Sequence, residues 1–97
     1  MLSLEDCIAL CGLSEDEVLA IAEHEHVPEV VAAELGNYLV QTPEGEMRIK
    51  SIIRDEMVRA RLRGDRKHEL ALMRLLREFV LQHPRCEERH RARLGVG

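Results

Sequence analysis

Apolar residues recur along the chain at intervals of three and four, and no stretch alternates residue by residue as a strand would. The pattern predicts an all-α fold. Ser3 and Asp6 open a first short helix over about Leu4–Leu10, with Gly12 just past its end. Ser14-Glu15-Asp16-Glu17 fits a capping box, in which a hydroxyl and a carboxylate three residues apart each satisfy the other's backbone N–H. The helix it opens runs to about Glu25 and carries Val18, Leu19, Ile21 and Ala22 on one face.

Pro28 sits in the first turn of a third helix, with Val31, Leu35, Tyr38 and Leu39 on its inner face. Gly36-Asn37 is a weak spot in it, tolerated where a neighbouring backbone comes close. Thr42-Pro43-Glu44 reads as cap, first-turn proline and an acid favoured by the helix dipole. The fourth helix runs to about Arg63, with Ile49, Ile53, Met57 and Ala60 inward. Gly64 closes it and Asp65 caps the next. The fifth helix, Arg66–Gln82, has the widest apolar stripe, Leu72, Leu75, Leu76, Phe79 and Val80, and is expected at the centre of the fold. Pro84 follows its end. The expected architecture is a single compact bundle of four to five short helices over residues 1–84. Residues 85–97 form a flexible, Arg-rich tail in which Cys86 is exposed.

The length of 97 residues suits one domain, and a hydrophobic fraction of 45% excludes a disordered chain. Tyr38 and Phe79 are the only aromatic residues, which argues against folds that stack nucleobases on several rings. Three cysteines, Cys7, Cys11 and Cys86, do not make a secreted disulfide framework, and Cys7 and Cys11 read as core residues sharing one face of the first helix. The N-terminus has neither a basic region nor a long apolar run, so a cytoplasmic protein with reduced thiols is the expectation.

Charge adds the strongest feature. Residues 1–46 hold 11 acids and no Lys or Arg, and residues 47–97 hold 14 basic residues against 7 acids. The halves are thus −11 and +7, which sum to the net −4. Opposite halves attract, within one chain or across a symmetric pair. Glu15, Asp16, Glu25 and Glu29 are the candidate acidic patch, and Arg54, Arg61 and Arg63 the candidate basic one.

Glu23-His24-Glu25-His26 is a metal-ligand inventory, and Glu23, His24 and His26 would be the ligands of a divalent metal. Helical spacing opposes this, because residues two apart point about 200° from each other. His26 instead continues the apolar stripe and seals the core edge. Glu23-x-x-His26 and Glu87-x-x-His90 each match half of a di-metal carboxylate motif, on helices too short for such a site. No phosphate-binding glycine loop and no nucleophile motif occurs, and no cofactor is called for. A helix-turn-helix over the second and third helices fails on charge, since its recognition helix carries Glu29 and Glu34 and no cation. Two alternatives remain: a metal-binding enzyme or sensor through the Glu23-His24-Glu25-His26 cluster, and a nucleic-acid-associated factor through the basic fourth helix and tail.

The run Ile21-Ala22-Glu23-His24-Glu25-His26-Val27-Pro28-Glu29, with Ala33-Glu34-Leu35-Gly36-Asn37-Tyr38-Leu39 and the later Arg61-Leu62-Arg63-Gly64-Asp65-Arg66 and His83-Pro84, resembles small bacterial helical proteins of unassigned activity. The resemblance implies a bacterial, all-helical protein and no site residue. The functional expectation is a non-enzymatic protein–protein interaction or regulatory module, self-associating as a homodimer or serving a larger assembly.

Overall fold

Local signals fix where the helices begin and end. In the computed structural model, which describes residues 13–86, Ser14 is the cap of α1 (Glu15–Glu25). Its hydroxyl accepts from the Glu17 N–H at 3.2 Å, and its own N–H donates to Glu17 Oε1 at 2.8 Å. Pro28 precedes α2 (Glu29–Leu39), because its fixed φ of −61° leads into a helix and it has no N–H to leave unpaired. Thr42 caps α3 (Pro43–Arg63), its hydroxyl accepting from the Gly45 N–H at 3.0 Å. Gly64 ends α3 at φ 77°, and Asp65 caps α4 (Arg66–Gln82) by accepting from the His68 N–H at 3.2 Å. The described residues contain four helices and no strand. The helix expected at Leu4–Leu10, with Cys7 and Cys11, lies outside the described residues, as does the Glu87/His90 pair.

The core is centred on α3, which packs against each of the other three helices. This corrects the expectation that Arg66–Gln82 is central. α3 buries Ile49, Ile52, Ile53 and Ala60, with Met57 half-buried beside them, whereas α4 buries Leu72, Leu75 and Phe79 and leans mainly on α3. The wide stripe on α4 overstated its burial, since Leu76 and Val80 are half-buried. α1 contributes Val18, Ala20, Ile21 and Ala22 to the same core.

α2 departs in part from its expected orientation: Leu35 and Leu39 are half-buried against the core as expected, but the rest of the face is turned. Val31 and Tyr38 are exposed, and Ala32, Ala33 and Gly36 face inward. The reason is close packing. A Cβ on Gly36 would overlap the Leu13 side chain, and one on Gly45, at the start of α3, would run into the Leu39 carbonyl at the end of α2. Only the small-residue face of α2 comes this near its neighbours.

Two further expectations are corrected. Cys86 is buried rather than exposed, because the chain turns back after α4 and the Cys86 N–H donates to the His83 carbonyl at 3.2 Å. Arg85 beside it donates to the Val40 carbonyl at 3.3 Å and to the Glu46 carboxylate. His26 does not seal the core. It is exposed at the end of α1 with φ 56°, because the chain must break its helix there to reach Val27-Pro28. Among the described residues no helix is long and apolar enough to cross a membrane.

Candidate interaction surface

Four carboxylates lie buried between helices, and each recruits a partner. Glu17 is held by the α1 capping box. Burial raises its carboxyl above the ordinary value, against the hydrogen bonds from Ser14 and the attraction of His83. Glu46, in the first turn of α3, accepts from Arg85 and lies 3.7 Å from His83 Nδ1. The His83 ring stacks on Phe79 at 4.4 Å between centroids. Glu56 is paired with Arg59 at 3.0 Å, and Glu69 on α4 accepts from Arg61 Nε of α3 at 2.7 Å. A buried carboxylate is tolerated only with such compensation.

Sequence reasoning found Glu17 through its capping box and missed the other three. Glu56 did leave a signal, since it falls inside the stripe formed by Ile49, Ile52, Ile53 and Ala60 and has an arginine three residues on. The partners of Glu46 and Glu69 are 39 and 8 residues away, and helical periodicity does not announce them.

These pairings divide the sequence-predicted charges. Arg61 is engaged by Glu69, and Arg63 lies 3.8 Å from Asp65. Glu25 is half-buried, 2.7 Å from His24 Nδ1 and 3.9 Å from Arg48. Glu15, Asp16 and Glu29 are exposed, with no ion pair among the described residues, and Glu34 joins them. On the basic side Arg54 is in the same state, and so are Arg66, Lys67, Arg74 and Arg77. Among the described residues the opposed halves meet at Arg85–Glu46 and Arg48–Glu25.

The three proposed metal ligands go to three places. Glu23 lies 3.5 Å from His68 on α4, His24 lies between Glu25 and Asp55, and His26 is exposed. Among the described residues no group of three His, Cys, Asp or Glu side chains has the arrangement of a metal site. The His26 side of the molecule does border an open cleft of about 460 Å³ between the α1–α2 junction and α3. Its two arginines are those facing Glu56 and Asp65.

Three of the exposed cations, Arg54, Arg66 and Arg77, share a surface with exposed apolar side chains. Val58 is 44% exposed and Leu62, one turn on, 81%. Leu70 and Met73 on α4 are 48% and 43% exposed. α3 and α4 form an antiparallel hairpin about Gly64, and the Arg61–Glu69 bond sets its register. In that register Val58 and Leu62 lie level with Leu70 and Met73, on the face of the hairpin opposite the core. Arg54, Arg66 and Arg77 fall around this ridge. Comparison with known families, with curated proteins and with solved structures finds no match.

Proposed function

We propose that the chain is a non-enzymatic protein-interaction module, and that the outer face of the α3–α4 hairpin docks an acidic amphipathic helix. The observation that carries this reading is the mixture on that face. Val58, Leu62, Leu70 and Met73 stand exposed among Arg54, Arg66 and Arg77, which have no ion pair among the described residues. An apolar ridge within a charged rim is how protein–protein docking sites are built. A surface for phosphate backbone gains nothing from the ridge, since cations alone supply that affinity. Arg61 and Arg63 face acids of their own chain, so of the sequence-predicted basic set Arg54 alone joins Arg66 and Arg77 in the rim that would meet the partner.

The test is equilibrium binding of the full-length chain to three labelled probes at low and high salt. The probes are an acidic amphipathic helical peptide, its charge-reversed counterpart and a generic single-stranded oligonucleotide. Saturable binding of the acidic peptide alone, weakened by salt and by Arg77→Glu, supports the reading. Binding of the oligonucleotide alone would transfer the surface to nucleic acid, and binding of no probe would overturn the reading.

A further inference from the structure

The chain carries on its own surface what the hairpin face calls for. α2 presents an outward arc of Val30, Val31, Glu34 and Tyr38, because its small residues are turned inward. Val30 and Val31 are 43% and 42% exposed and Tyr38 is 75% exposed. Glu34 stands one turn from both Val30 and Tyr38, and Glu29 lies at the start of the helix. Neither carboxylate has an ion pair among the described residues. The arc is therefore apolar and acidic, and the hairpin face is apolar and cationic. An exposed tyrosine is a side chain that docking surfaces favour, because it offers a large rigid ring with a polar tip.

Resting on the docking reading of the hairpin, we infer that the partner is a second copy of this chain, whose α2 lies across the α3–α4 hairpin of the first. Two different surfaces meet in this arrangement. It closes into a symmetric pair if both contacts form at once, and into a ring or an open chain if they do not. The charge segregation supplies complementarity and the two apolar faces supply the buried area. A small contact of this kind is weak and responds steeply to salt.

The experiment is sedimentation velocity on the full-length chain over a wide concentration range at low and high salt. The wild type is expected to exceed its 11.1 kDa monomer mass at low salt and to return towards it at high salt. Glu34→Arg and Arg77→Glu, both at exposed positions that leave folding intact, should each weaken association by about tenfold. An equimolar mixture of the two variants should recover association, because the new arginine on one α2 meets the new glutamate on the other hairpin. A wild type that stays monomeric throughout overturns the inference, as does association that neither variant changes. If the chain is monomeric but the acidic peptide still binds, the docking surface stands and its partner is a different protein.

Discussion

α2 turns Ala32, Ala33 and Gly36 inward and holds Val31 and Tyr38 in solvent, whereas α3 buries Ile49, Ile52 and Ile53 and leaves Val58 and Leu62 outside. Both helices carry more large apolar side chains than the core accepts. In α3 the large ones win the inner face because the helix lies amid the other three and has volume to fill. In α2 Val31 and Tyr38 lose it, and Leu35 and Leu39 keep only its half-buried edge, because the turn into α3 brings the two backbones together at Gly45 and Leu39. An apolar residue on a small helix is thus inside or outside according to how closely its neighbours approach, and not by hydrophobicity alone.

That contrast is sharpest in paired truncations. Ile53→Ala is expected to cost about 2–5 kcal/mol, from lost burial and the cavity left behind. Val31→Ala on the outer face of α2 should cost less than about 0.5 kcal/mol. Thermal melts read the difference directly, since about 1 kcal/mol shifts the midpoint of a domain this size by roughly 4–8 °C. Equal shifts for the two variants would break the comparison. Gly45→Ala probes the close approach itself. Its methyl meets the Leu39 backbone, which cannot move aside as a flexible side chain would, and a loss of about 1–3 kcal/mol follows.

Arg85→Ala leaves the buried Glu46 carboxylate without its guanidinium. Half of the arginine side chain is exposed, so the expected loss is about 1–2 kcal/mol, less than for a fully buried pair. Urea unfolding of this variant should show a lower midpoint at an unchanged slope. The smallest effect is at Glu17. Its carboxyl holds its proton more tightly in the folded chain than in the unfolded one. That preference adds stability below the ordinary carboxylate value and is lost as the pH rises through the raised folded value. Glu17→Gln keeps an oxygen for the Ser14 N–H and removes the titration. Relative to the wild type it should therefore gain stability as the pH rises, by about 1 kcal/mol or less. A gain on acidification instead would reverse the assignment.

The parts legible in the sequence are those written in neighbouring residues. Ser14 with Glu17, Thr42 with Pro43, and Gly64 with Asp65 state the helix boundaries, and the structure places them there. The parts that were not legible depend on residues distant in the chain. Gly36 does mark a close approach, but nothing near it says that the neighbour is Leu13, or that α2 is turned by this contact and by its contact with Gly45. Nothing near Cys86 says that Arg85 is drawn to Glu46. The charge split was plain, but which charges stay unpaired was not, because Arg59, Arg61 and Arg85 are engaged by acids that only folding buries.

Two of the four buried carboxylates should also leave a trace in inheritance. Glu46 and Glu69 each depend on one arginine from another part of the chain, so neither member of a pair can be replaced by drift without stranding the other. Descendants of this sequence should exchange positions 46 and 85, or 61 and 69, together, charge for charge or both for apolar residues. By contrast Arg59 is a single helical turn from Glu56 and half exposed, and a neighbouring arginine could take its place. The two long-range pairs are where common ancestry would be written as correlated change.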